Sequence, residues 1–376
     1  MLKMPPCFAL SLAIVSASVI TALLPAHAAD IDTLASSLGR DFVARPPHVG
    51  LSIGIVYKGE RKRFNFGSTD IDRPVPPTAR TIYELASLTK SHTGMLLARA
   101  VTDRKLALDE DVRRYLPAGF DKLSFDGHPI RIVDLANHTS GLPKNLPAFA
   151  PEPTPDKILA QYSGMTRERF LKAVSGVRLE RRPGSRYAYS NTGTQLLGIV
   201  LENVYGVPYG ELISRVITGP RQMPDTGTAV APANAGRYAK RYDGHGNPMP
   251  ELSFWRTIPA AGFLKSTIDD QLRYLEWNLD ESDPVVALAH QVTFRHTDEK
   301  GDDIGLYWFV NSKDGKRLVR HGGGSFGTTG FELLYPDSGL GIVLLANDAD
   351  ASTEQALSDM ADKLAKALLD SQPAGR

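Results

Sequence analysis

The sequence has one cysteine, Cys7, among 376 residues. It lies in an opening stretch, MLKMPPCFALSLAIVSASVITALLPAHAAD, with the three-part layout of a secretory leader. One lysine is followed by an uncharged run from Phe8 to Leu24, then Ala26-His27-Ala28 as a small-residue cleavage site. Cleavage after Ala28 would leave residues 29–376 with no disulfide and no thiol chemistry. Export without cysteine fits the bacterial periplasm, since small secreted domains more often rely on disulfides. The rival reading of the same run is a membrane anchor, but it is short against the roughly 20 apolar residues of a bilayer span. A lipid anchor on Cys7 fits poorly, because Cys7 precedes the apolar run instead of ending it.

Charge of one sign is also missing. Lys plus Arg number 43 and Asp plus Glu 42, so no broad field exists to attract nucleic acid. No basic run, heptad pattern or second long apolar segment follows. These absences point to a small-molecule or peptide substrate met at a local site, with no nucleic-acid partner and nothing indicating a membrane partner. His92, His128 and His321 lie far apart with no short-spaced ligand pair, too scattered to argue for zinc. His138, within NHTSG, reads as structural.

What is present is strand texture at both ends. GLSIGIVYKGERKRFNFG (50–67) predicts two strands around a Lys58-Gly59 turn. IGLYWFVNS, KRLVRHGGG, GFELLYP and GLGIVLLAND predict four more, and Ser352 to Leu369 an amphipathic helix with Leu357, Met360, Leu364 and Leu368 on one face. Helical stretches between them include one near 92–105, RERFLKAVSG, TQLLGIVLENVYG and DDQLRYLEWNL. The expected architecture is an α/β (α+β) fold: one antiparallel sheet from both termini, flanked by helices, with a mostly helical lobe inserted. The α/β lobe covers about 29–80 and 290–376 and the helical lobe about 81–289, one domain with a cleft at the lobe boundary. The loop from Pro143 to Pro155 holds five prolines and reads as a rigid surface connector.

Three short patterns carry chemistry. Ser87-Leu88-Thr89-Lys90 places a serine and a lysine at i and i+3, on one helix face. A lysine freed of its charge by burial can take the serine proton. Alone, the pattern serves a capping serine and a solvated lysine at least as well. Tyr189-Ser190-Asn191 follows a Pro-Gly turn. A tyrosine acts as a base only where cations stabilise its phenolate, and an asparagine suits a substrate amide. Third, His321-Gly322-Gly323-Gly324 sits in a strand, where glycine lets a substrate backbone approach and N–H groups face it.

Ser-x-x-Lys, Tyr-x-Asn and a basic-residue-Gly-Gly strand, in that order, resemble the class C β-lactamase and penicillin-binding serine hydrolase family. DLANHTSGLP (134–143), PGSRYAYSN and AGFLKSTIDDQLRY (261–274) support the resemblance, which spans about 45–350. Within that family the chain looks closest to the periplasmic DD-carboxypeptidase/endopeptidase branch of AmpH type. The resemblance implies Ser87 as nucleophile, Lys90 and Tyr189 sharing the proton work, and Asn191 binding the substrate amide. It also implies substrate contact by His321, Gly323 and Gly324, an oxyanion hole from the N–H groups of Ser87 and Gly324, and no metal or organic cofactor. The expected activity is acyl-enzyme hydrolysis of a D-Ala-D-Ala amide, with β-lactam binding. An esterase or amidase of the same family and a silent penicillin-binding protein are the alternatives. One departure stands out: the third motif begins with His321, not lysine. With an ordinary pKa near 6.5 it would carry partial charge at neutral pH and donate a hydrogen bond. Arg320, its neighbour in the strand, would point to the opposite face.

Overall fold

The structure, a computed structural model, describes residues 26–149, 154–251, 253–296 and 301–370. Most of the expected leader and part of the proline-rich loop, including Pro151 and Pro153, lie outside the described residues.

Strands β1 (Gly50–Tyr57) and β2 (Glu60–Gly67) form the expected hairpin. Its turn residues Lys58 and Gly59 have φ of 51° and 83°. Positive φ at both positions gives the turn whose twist matches its flanking strands. The C-terminal region adds β3 (Asp303–Ile304), β4 (Phe309–Lys313), β5 (Lys316–Gly324), β6 (Thr329–Tyr335) and β7 (Leu340–Ala346). All pair antiparallel in the order β2-β1-β7-β6-β5-β4-β3, so the two chain ends meet where β1 pairs with β7.

IGLYWFVNS is not one strand. It breaks between β3 and β4, where Tyr307 takes a φ of 67° and both Tyr307 and Trp308 are buried. The reason is a pull from the helices: Leu306 N–H donates to Ala289 O at 2.9 Å and Tyr307 N–H to Ala136 O at 3.2 Å.

Helices α1 (Ala26–Val43), α2 (Thr89–Thr102), α3 (Arg167–Gly176), α4 (Asn191–Tyr205), α5 (Ile268–Leu279) and α6 (Thr353–Asp370) make up most of the rest. Alternation along the strands feeds two cores. Leu51, Ile53, Ile55, Ile342 and Leu344 pack with Leu357, Met360, Leu364 and Leu368 of α6 and with α1. Val56, Val343 and Leu345 face the other way, toward α2 and α5. Gly54 and Gly341 let α5 come close: a Cβ on them would lie 3.0 Å from Leu272 and 3.3 Å from Leu275.

Helix α2 is interior, with Thr89 to Ala98 all buried. It runs against the β3–β4 turn, and a Cβ on Gly94 would collide with the Leu306 carbonyl oxygen. Because the obstacle is backbone, Gly94→Ala should cost about 1–3 kcal/mol. Thermal melting checks this; an unchanged Tm would contradict the close approach.

Candidate active site

The three motifs converge on one cleft of about 870 Å³. Ser87 sits in a short 3₁₀ turn, Ala86–Leu88, that leads into α2. The preceding residue, Ala86, is buried with φ of 45°. A non-glycine residue in that region is strained, and here the strain aims Ser87 outward. Ser87 does not cap the helix: the N-cap of α2 is Leu88, with no side-chain cap bond.

The Ser87 hydroxyl lies 2.7 Å from the Tyr189 hydroxyl and 3.0 Å from Lys90 Nζ. Lys90 is fully buried, and Nζ also donates to Ala261 O at 2.6 Å. With no carboxylate against it, burial pulls the Lys90 amine well below the ordinary lysine range, and Lys144 adds to the shift. Burial pushes the Tyr189 phenol up, while the Ser87 hydrogen bond pulls it partly back. Both shifts favour the neutral form of each group. A neutral amine can accept a proton and a neutral phenol can pass one on, whereas the motif reading required a phenolate stabilised by cations.

Tyr189 is held from behind. His138, at φ 56°, packs its ring 4.4 Å from the Tyr189 ring, and its Nδ1 accepts the Ser190 N–H at 3.1 Å. That bond requires Nδ1 unprotonated, so the neutral ring carries its proton on Nε2. Burial lowers the His138 pKa well below its usual value. Ser190 caps α4 through Gly193 N–H at 2.9 Å, which puts Asn191 in the first turn. Asn191 Nδ2 donates to Asn145 Oδ1 at 2.8 Å, and Asn191 Oδ1 is buried without a partner. That free oxygen can accept a substrate N–H.

Asn145 was not legible as a site residue. It belongs to the proline-rich loop read as a surface connector, and that reading is corrected here: Lys144, Asn145 and Phe149 line the cleft. The loop is tied inward by Ser190 Oγ to Pro143 O at 2.8 Å and by Asn191 N–H to Lys144 O at 2.8 Å.

The third motif forms the opposite wall. β4 stops pairing at Phe309 opposite Arg320, so residues 321–324 of β5 pair only with β6 and leave their other edge open. Gly323 is needed for contact: a Cβ there would lie 2.7 Å from Ser87 N and 2.9 Å from Leu88 N. Gly324 has open space, with nothing nearer to such a Cβ than Thr328 O at 3.8 Å.

His321 requires a correction. It is buried, and loss of solvent, the largest cause, takes its pKa down to about 3, so it carries no charge at neutral pH. Its Nδ1 lies 2.7 Å from Gly322 O. A carbonyl only accepts, so Nδ1 holds the proton, and Nε2, buried without a partner, is an acceptor, not the donor expected. A neutral acceptor cannot hold a carboxylate. Arg320 points to the opposite face, as strand alternation requires, and pairs with Asp302 at 2.7 Å. Among the described residues no three His, Cys, Asp or Glu side chains are grouped to hold a metal.

The contrast between the two glycines is testable. Gly323→Ala should slow acylation of Ser87 by about a hundredfold, because it displaces the strand from the serine turn. Gly324→Ala should stay within about tenfold of the parent, since it keeps its N–H and meets open space. Stopped-flow or gel-based acylation rates with a reporter acyl donor decide this; equal losses would contradict the packing.

Residues 38–367 match the protein family described as Beta-lactamase. D-alanyl-D-alanine-carboxypeptidase/endopeptidase AmpH of Escherichia coli (strain K12) is 26% identical over 340 residues, 86% of each chain. Protein flp of Staphylococcus aureus (strain N315) is 29% identical over 311 residues, 79% of this chain but only 59% of that longer protein. The solved structure of a beta-lactamase/D-alanine carboxypeptidase from Yersinia pestis, complexed with citrate, superposes with a TM-score of 0.79 at 22% identity, covering 91% of this chain and 99% of that one. With a matched segment this long, the fold just described and a serine bonded to lysine and tyrosine, the chain belongs to the beta-lactamase family of serine hydrolases.

Proposed function

We propose that the protein is a periplasmic serine hydrolase that cleaves an amide bond of peptidoglycan stem peptides through an acyl-enzyme. One observation carries this reading: Ser87 Oγ is hydrogen-bonded to both Tyr189 and a desolvated Lys90 at the floor of an open cleft. Ser87 Oγ attacks the carbonyl carbon and its proton passes to the Lys90 amine. The Tyr189 hydroxyl, 2.7 Å from Oγ, donates its own proton to the departing nitrogen, and the proton held on Lys90 restores the phenol. The N–H groups of Ser87 and Gly324 flank the oxyanion, and Asn191 with Asn145 receives the acyl-side amide. Water then hydrolyses the ester at Ser87. The 26% identity to the Escherichia coli carboxypeptidase/endopeptidase over 86% of the chain supports a place in the same branch. The leader-like sequence of residues 1–28 supports the periplasm. The uncharged His321 favours attack on internal amides over release of a C-terminal residue, because position 321 offers a terminal carboxylate no fixed cation. The same observation favours a second reading, an esterase of the same mechanism.

A fluorescent penicillin should label the protein with one adduct by intact mass, and Ser87→Ala should abolish the label. A label that survives in Ser87→Ala would sink the mechanism. Lys90→Arg, charged at every working pH, should slow labelling by about a thousandfold.

The labelling rate should rise with pH as Lys90 loses its proton. It should reach its plateau well below 10.5, because burial lowers that pKa. A rate still climbing near pH 10 would assign the base elsewhere.

His321→Lys should raise turnover of a carboxylate-ended peptide relative to a neutral ester by about tenfold or more. Steady-state rates on the two substrates measure it, and a constant ratio would show that position 321 does not select.

A further inference from the structure

The cleft continues past the open edge of β5 to the first turn of α6, where Glu354 faces it. The Glu354 carboxylate lies directly on Gly322; a Cβ there would collide with Glu354 Oε1. Among the described residues this carboxylate has no hydrogen-bond or ion-pair partner. The nearest cation is already committed: Arg320 donates to Asp302 through Nε at 3.0 Å and Nη2 at 2.7 Å. With that guanidinium taken up by Asp302, the Glu354 carboxylate adds a negative charge to the cleft. Lys144, on the loop beside Asn145, is exposed and among the described residues has no ion-pair partner.

The leaving atom must lie at the Tyr189 hydroxyl, and Glu354 lines the same cleft as that hydroxyl. The Asn191–Asn145 pair, beside Lys144, would then receive the acyl side. We propose that Glu354 is a specificity residue for the leaving portion of the substrate, accepting a positively charged group there and turning away a carboxylate. This rests on Ser87 acting as the acyl-transfer nucleophile and names the chemistry its leaving group should carry.

Three thioesters of one acyl group test it, with thiocholine, its neutral carbon isostere 3,3-dimethylbutanethiol, and 3-mercaptopropionate as leaving thiols. In each, the Ser87 Oγ–carbon bond forms as the carbon–sulfur bond breaks. The Tyr189 proton ends on the departing sulfur, the serine proton held on Lys90 restores the phenol, and water then splits the acyl-enzyme into acid and free Ser87. Released thiol is read directly, and each kcat/KM is divided by the hydroxide-catalysed rate of the same thioester.

The cationic ester should exceed the anionic one by about tenfold or more in the parent, the scale of one partly screened charge pair, and added salt should shrink the ratio. E354Q should bring the ratio toward one and E354K should invert it. A parent ratio near one, or a ratio that neither variant moves, overturns the proposal while turnover of the neutral ester leaves Ser87 chemistry standing. Failure of the neutral ester together with absence of a penicillin label overturns both.

Discussion

The site depends on keeping one lysine amine out of water. Lys90 lies on an interior helix and, among the described residues, has the Ser87 hydroxyl and the Ala261 carbonyl as its hydrogen-bond partners. A buried ammonium without a counter-charge is costly, and the free energy is recovered by giving up the proton. The surrounding chain is arranged to hold that condition. Thr93 Oγ1 donates to Ala260 O at 2.8 Å, and Thr89 Oγ1 accepts Leu264 N–H at 3.1 Å. These threonines, one helical turn apart, pin the 260–264 segment along α2 and thereby place the Ala261 carbonyl. Leu85 N–H donates to Leu264 O at 2.8 Å, closing the same segment onto the serine turn.

Around this centre the fixed charges lie on the walls of the cleft. Lys144 and Glu354 both line it, while Arg320 and Asp302 neutralise each other. His321, His138 and Lys90 would all be cationic in water, yet burial disfavours charge on each. Desolvation thus removes charge around Ser87, and the charges that line the cleft belong to other residues.

Much of this was legible from residue patterns. Period-two alternation and the Lys58-Gly59 turn located the sheet hairpin, because each strand has one face against a helix layer. Ser87, Lys90, Tyr189 and Asn191 were found by motif because their spacing follows local geometry, a turn into a helix in each case. The rest was set by long-range contacts that leave no local trace. Asn145 is ordinary in sequence, and only the docking of its loop onto Ser190 and Asn191 makes it a partner of the site. The charge state of His321 depends on burial, which only the assembled fold supplies. The break in IGLYWFVNS came from hydrogen bonds to Ala289 and Ala136 that the strand pattern could not register.

The contact of Gly323 with the backbone of Ser87 and Leu88 bears on how such a protein can change over time. The strand wall cannot acquire a side chain at that point without moving the Ser87 turn, so this side of the cleft is closed to gradual remodelling. Lys144 and Glu354 reach the cleft as exposed side chains, where a substitution changes charge without displacing backbone. Change is therefore channelled into the side chains that line the cleft, while the strand and the serine turn are inherited as one unit.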